Sequence, residues 1–408
     1  MKSKIPRRCE RPEFKKSRQR RTLVKKRLLS GLGVIAVVVS VYLGLSLVDS
    51  KTAVATAGKK TYSPTIYVAG VGGHFAEARI AVDPNNADEP LKVSGLGKVN
   101  IGTTATHKVH DPRIDSKDGN VLFWATYQKD PQGKMHIGKT DLKTGKVIKD
   151  LAIDPDPRSP GISGPLYCAS GQSKKSYMPV FMGGESYIDV FDKATLGRKH
   201  RVFISDLGYR PESPLYLHGT NSNDMKMFVL SVALKGEDGK PNGKNDIVLV
   251  DLPALEKGKL KEIKRVTLSG EPGKTITFRQ YFSKDDKYIF QSAGDRVYVL
   301  DARTLAVVDE KKTPGENHDA MPTPDGKYAL LTLRTSVKAT GPDGKVVEKD
   351  GKPVGIKDGT IALYDFEARK ISGKPASVCS ACHKDVGLGD KTAIACGMDA
   401  NYKKYPSL

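Results

Sequence analysis

Cys379 and Cys382 stand three residues apart, and His383 follows at once. This is the C-x-x-C-H spacing that attaches a c-type haem. Two thiols at that separation reach both vinyl groups of one porphyrin, and the adjoining imidazole falls beneath the iron, where it sets the basic electronics of the metal. Cys379, Cys382, His383 and Cys396 also form an alternative set, three thiolates and one imidazole, of the kind that holds a structural zinc ion. Met398, fifteen residues beyond His383, is a candidate sixth iron ligand whose thioether would raise the potential; the plainer reading is a gap-filling methionine. If Cys379 and Cys382 carry one covalent haem, Cys168 and Cys396 remain as a disulfide or as two buried thiols.

About thirty residues follow Pro375, far fewer than a self-contained helical cytochrome domain needs, so the haem has to lean on other structure. Residues 61–375 supply it. They are low in helix signals and rich in short β-branched or aromatic runs broken by Gly, Pro, Asn and Asp, which predicts an all-β domain. Six runs end in an aspartate followed by a turn: Asp83, Asp141, Asp192, Asp251, Asp301 and Asp365, at intervals of 58, 51, 59, 50 and 64. A strand, an acidic turn and a further strand, repeated at this period, is the pattern of four-stranded blades in a β-propeller. At ~45 residues per blade, 315 residues predict seven blades, with six and eight as alternatives. The first repeat is short, so the ring is expected to close by sharing one blade between the two ends of the domain. Residues 341–359 and 236–245 read as long hairpin excursions.

Two of the repeats carry further detail. Thr323-Pro324-Asp325-Gly326-Lys327-Tyr328 turns into a strand, and Val297-Tyr298-Val299-Leu300-Asp301-Ala302-Arg303-Thr304-Leu305 is a strand and its exit turn. These stretches resemble the YVTN-type propeller repeat, related in architecture to the d1-haem propeller of cytochrome cd1 nitrite reductases. The resemblance covers roughly residues 61–375, is closest over 275–370, and implies a propeller without supplying a reaction.

Propeller ligands are usually held where loops converge on the central channel. His74, His110, His218 and His318 each precede a strand at such a place, and several imidazoles on one funnel could bind copper, zinc or a second haem. Independent loop histidines are the plainer reading, because no short metal spacing ties them together. His107 and His110 are three apart, an interval that does not put both rings on one face of a strand.

The compartment is written at the other end of the chain. Residues 1–27 carry thirteen Lys or Arg against Glu10 and Glu13, about half of the net +21. Residues 28–48 follow without a charge, long enough as a helix to cross ~30 Å of hydrocarbon. Basic flanks resist translocation, so 1–27 is read as cytoplasmic, 28–48 as an inner-membrane anchor or uncleaved signal, and 49–60 as a linker to a periplasmic or extracytoplasmic domain. A cleaved, secreted form is the alternative, because small-x-small sites occur at residues 53–57. The basic excess is explained by this topology, and no nucleic acid is expected as a partner; the scattered lysines of the exported part favour an acidic redox protein.

No G-x-S-x-G, H-E-x-x-H or P-loop pattern occurs. The leading expectation is a membrane-anchored, exported monohaem c-type cytochrome, a propeller over 61–375 with a haem tail over 376–408, that relays electrons to or from a redox partner. The alternatives are a propeller oxidoreductase with a second metal or d1-like haem in its channel, and a haem-free interaction scaffold with a zinc or disulfide tail.

Overall fold

The computed structural model describes residues 58–159, 166–183, 185–338, 345–346, 348–353, 355–378 and 395–402. The basic segment, the apolar span 28–48, and Cys379, Cys382 and His383 lie outside the described residues. Among those described, no helix is long and apolar enough to cross a membrane.

The described chain is a β-propeller. Its first strands are β1 (Thr65–Ala69), β2 (His74–Val82) and β3 (Leu91–Asn100). The second sheet is β4 (Val109–Ile114), β5 (Val121–Thr126), β6 (Met135–Asp141) and β7 (Lys146–Ile153). The third is β8 (Tyr167–Gln172), β9 (Ser176–Phe181), β10 (Tyr187–Asp192) and β11 (Arg198–Phe203), and the fourth is β12 (Pro214–Asn221), β13 (Met227–Lys235), β14 (Pro241–Asp251) and β15 (Glu262–Ser269). Next come β16 (Gln280–Phe282), β17 (Tyr288–Ser292), β18 (Gly294–Asp301), β19 (Val307–Pro322) and β20 (Tyr328–Lys338). A two-stranded excursion, β21 (Glu348–Lys349) and β22 (Lys352–Pro353), precedes β23 (Gly355–Asp365) and β24 (Lys370–Ser377), and β25 (Met398–Asn401) ends the series.

β19 is long enough to serve two sheets. Its first half pairs with β18 and its second with β20, so one continuous seven-stranded sheet contains two groups of four. With the four separate four-stranded sheets, the described strands make six groups, where repeat length predicted seven. The excess length per repeat lies in long strands, above all the sixteen residues of β19, and in the β21–β22 excursion. The inner strands neighbour one another in the order β25, β4, β8, β12, β16, β19 and back to β25, which closes the ring.

Closure comes from the far C-terminus. β25 pairs antiparallel with β1 and is the inner strand of the first sheet, in the order β25-β1-β2-β3. Residues 398–401, which the sequence reading placed in the haem tail, therefore belong to the propeller. Their Met-Asp-Ala-Asn lacks the β-branched or aromatic run that announces the other strands, so only pairing to β1 makes them one. Residues 360–375 do not share the first sheet but belong to the adjacent one, where Lys374 N–H donates to the Asp88 carbonyl at 2.8 Å.

The recurring aspartates have one job. Each accepts backbone N–H groups in the turn between the third and fourth strands of its group: Asn85 to Asp83 at 3.0 Å, Lys143 to Asp141 at 2.8 Å, Ala194 and Thr195 to Asp192 at 3.0 Å, Thr304 to Asp301 at 2.7 Å and Ala368 to Asp365 at 2.9 Å. Asp251 does the same as N-cap of the short helix α1 (Leu252–Glu256), accepting from Ala254 N–H. The left-handed residue that closes this turn is Gly145 in the second sheet, but Leu196 and Leu305 in the third and fifth groups, at φ of 57° and 59°. Both leucines are buried, and packing of the side chain offsets the local backbone cost. The core lies between neighbouring sheets. One such layer joins Ile66, Val68 and Ile80 of the first sheet to Leu330, Ile361 and Leu363 of the last.

Candidate functional site: the inner ring

Three of the four histidines predicted for the channel are brought together. His110 stands on β4, His218 on β12 and His318 on β19, all on inner strands and all buried. His74 is not among them, since it opens β2, the third strand out from the axis. The first sheet takes its inner strand from the C-terminus, so positions in the first repeat are offset by one strand.

The ring also holds residues that sequence reasoning passed over. Arg279, immediately before β16 and 2 % exposed, donates from Nε to Asp111 Oδ1 at 3.1 Å and from Nη2 to the His110 carbonyl at 2.8 Å. Its Nη1 lies 3.6 Å from Asp319 Oδ2. Asp111 also accepts from Ser170 Oγ and faces Arg113 at 3.6 Å. Asp319 accepts from Tyr281 O–H at 2.8 Å and Thr332 O–H at 3.0 Å. Arg334 donates to Cys396 Sγ at 2.8 Å and pairs with Glu316 at 3.4 Å. One signal was available: the dipeptide His-Asp recurs at residues 110–111 and 318–319, each time at the inner strand.

Burial governs the electrostatics. It pushes the imidazole of His110 well below its usual range, and Arg279 adds to the effect; His218 is lowered in the same way. Burial pushes Asp319 up to about 7, against the opposing charge of Arg279. The Cys168 thiol is pushed up to about 12 for the same reason. His110 Nδ1 and Cys168 Sγ are 2.7 Å apart, the geometry of a nucleophilic pair. With the thiol protonated and the ring neutral, the thiolate–imidazolium state that such a nucleophile requires is disfavoured. Cys168 and Cys396 are free, buried thiols, so the disulfide reading of these two does not hold here.

What the ring presents is neutral imidazole. His218 is fully buried, and neither ring nitrogen has a hydrogen-bond partner. A polar group in that condition costs folding free energy unless something binds it. Phe278 stacks on His318 at 4.1 Å and meets the edge of His218 at 5.7 Å, and Tyr127 stacks on His110 at 4.2 Å, so the imidazoles are framed by aromatic faces. Met398 does not face this ring. It is fully buried among Ile66, Val68, Leu330 and Leu363, in the gap-filling role.

His318 gives a test of these energetics. Burial, with the Arg334 charge second, pushes its pKa down to about 3, although Nε2 lies 2.5 Å from Glu316 Oε1. The folded protein holds the ring neutral, so the unfolded chain takes up a proton first as pH falls below about 6.5, and stability is lost until the folded ring protonates near 3. His318→Gln is expected to flatten the acid limb of stability by about 1.4 kcal/mol per pH unit between pH 6.5 and 5, read by urea denaturation. Parallel profiles for wild type and variant would refute this assignment.

No family model matches the sequence, and comparison with curated proteins finds no match either. Solved structures do match. TolB from Acinetobacter baumannii aligns over 84 % of this chain and 66 % of its own, at 13 % identity and a TM-score of 0.47. The Mitotic Checkpoint Complex structure aligns over 76 % and 75 %, at 9 % identity and a TM-score of 0.44. The β-propeller domain of Cps50 (Swd1) from Myceliophteria thermophila aligns over 67 % and 86 %, at 14 % identity and a TM-score of 0.38.

Proposed function

We propose that this protein is an exported, membrane-anchored monohaem c-type cytochrome built on a six-bladed propeller, passing single electrons to or from an acidic redox protein. Cys379 and Cys382 would hold the porphyrin through thioethers, and His383 would be the axial ligand; the donor set is two soft thiols and an imidazole at the spacing one haem requires. The haem would supply reversible one-electron storage. The observation that carries the reading is the anchorage of the segment. Val378 and Ala395, which flank residues 379–394, are both fully buried in the same core layer between the last and first sheets. The sixteen-residue haem segment is thus tied at both ends to the fold, and a short tail needs no domain of its own. The chain next enters the inner ring at Cys396, within reach of Arg334 and its partner Glu316.

Met398 is not carried into this proposal as sixth ligand, because ligation would draw it out of the core. Cys396, engaged by Arg334, speaks against a three-cysteine zinc site and hence against the zinc form of the haem-free scaffold. A second reading has one observation in its favour: the unpartnered nitrogens of His218 suit a ring that binds a further metal or haem, which would make the protein an oxidoreductase with the c haem as its electron entry. Protein made with an intact haem-maturation system is expected to give a covalent haem stain, a sharp c-type band on reduction, and one iron per chain. No band under those conditions sinks the proposal. Iron or copper above one haem iron, lost in His218→Phe, would favour the second reading.

A further inference from the structure

Away from the inner ring, the second sheet gathers His107, His136 and Asp150. His107 precedes β4, His136 is on β6 and Asp150 on β7. Gly138 is the cross-strand partner of Asp150, so His136 and Asp150 are diagonal neighbours on one face of the β6–β7 pair. The chain before β4 lays His107 across them, its ring 4.3 Å from that of His136 and edge-on to Trp124 at 5.6 Å. His107 Nε2 is 2.9 Å from Asp150 Oδ2, and His136 Nδ1 is 2.9 Å from Asp150 Oδ1. One ligand atom from each residue falls within 4.8 Å of the others.

We propose that these three residues form a binding site for a divalent first-row transition metal of the zinc type, with water in the remaining position. The donor set, two imidazoles and a carboxylate, is that of three-ligand zinc sites. A tetrahedral ion with ligands at ~2.0–2.1 Å separates its ligand atoms by about 3.3 Å. The three ligand atoms already lie within 4.8 Å of one another, and because each imidazole faces a different oxygen of Asp150, the ion requires one of these oxygens to turn toward both nitrogens. The nitrogens that do not face the ion are held. Thr106 Oγ1 lies 2.7 Å from His107 Nδ1, and Asp130 Oδ2 lies 3.2 Å from His136 Nε2. Asp130 is itself oriented by the backbone N–H groups of Gln132 and Lys134, at 2.9 and 2.7 Å. A carboxylate behind a ligating histidine selects the tautomer that offers Nδ1 to the metal, and this support is as much a mark of metal sites as the ligands are. The side chains of His107 and His136 are about one-tenth exposed and that of Asp150 one-third, so solvent reaches the open position. The bound ion would brace the chain entering the inner strand β4 against the outer strands of its sheet.

The test uses the purified full chain after chelation and dialysis, titrated with Zn²⁺ by calorimetry and with Co²⁺ by visible absorption. Wild type is expected to bind one equivalent of Zn²⁺ that both His136→Gln and Asp150→Asn lose, with the haem spectrum unchanged and the far-ultraviolet circular dichroism of the apo forms still that of the folded propeller. Asp130→Asn, which touches no ion, is expected to keep the stoichiometry and weaken affinity by about 10–100-fold. Zn²⁺ uptake equal in wild type and in both ligand variants, or no uptake by wild type, overturns the site and leaves an ordinary histidine–carboxylate network. Either result is independent of whether haem is attached.

Discussion

Substitution of His383 by alanine is expected to abolish the normal reduced c-type spectrum while the propeller stays folded. The two effects separate because they have different causes. The spectrum depends on the axial imidazole, which sets the ligand field of the iron, whereas the thioethers alone keep the porphyrin attached. The fold depends on β25, whose pairing to β1 runs from Met398–Val68 to Asn401–Thr65, and on the burial of Val378 and Ala395. None of these contacts involves residue 383. The measurement is a reduced absorption spectrum beside a far-ultraviolet circular dichroism melt: His383→Ala keeps the haem stain and loses the band shape, and the double variant Cys379→Ser, Cys382→Ser loses both stain and band. A wild-type spectrum in His383→Ala would remove this histidine from the iron and with it the motif on which the proposed function rests.

The second large effect is expected at Arg279. Arg279→Met should destabilise the fold by about 3–5 kcal/mol, the usual cost of removing one partner of a buried ion pair. Against a typical domain stability of about 5–15 kcal/mol, that loss takes a large part of the total. The guanidinium ties β4 to the segment before β16 and to β19 through Asp111, the His110 carbonyl and Asp319, so its removal takes the ion-pair partner from buried Asp319 and leaves buried Asp111 paired with Arg113 alone. The deficit should depend on pH. Asp319 is already pushed up to about 7 by burial, and without Arg279 it rises further. A carboxyl whose folded pKa lies above its unfolded value binds its proton more tightly when folded, so the stability it contributes is present at low pH and lost as pH rises through the folded value. Urea denaturation should therefore show the variant closest to wild type near pH 5 and furthest near pH 8, and Asp319→Asn in the Arg279→Met background should recover part of the loss. A deficit that does not change between those pH values would mean that the carboxylates find other partners.

The legible parts of the fold were those that local chemistry dictates. The six recurring aspartates are legible because a carboxylate two or three residues before a backbone N–H closes a turn from local sequence alone, and all six do so. A count from length was less informative: it favoured seven groups with six and eight as alternatives, and the described strands make six, because length is absorbed by strands of unequal extent, above all the sixteen residues of β19. The inner ring was half legible. His110, His218 and His318 could be placed because they precede strands in repeats that start with an inner strand, and His74 was misplaced because its repeat does not. Arg279 was invisible because its partner Asp111 is 168 positions away, and no spacing rule spans a closed ring.

The sequence by itself determined what covalent spacing and short-range hydrogen bonding can specify: the Cys379, Cys382 and His383 set, the uncharged run over 28–48, the turn aspartates and the alternation of strands. Only the tertiary structure decided which distant residues meet. Closing the ring with β25 carried Cys396 to Arg334 and Met398 into the core, and folding the second sheet brought His107 onto His136 and Asp150. The physical reason is common to these cases. A propeller's inner strands are contiguous in space and some fifty residues apart in the chain, so the contacts that define its centre are set by sheet packing and by burial of charge, neither of which leaves a periodic mark on the sequence.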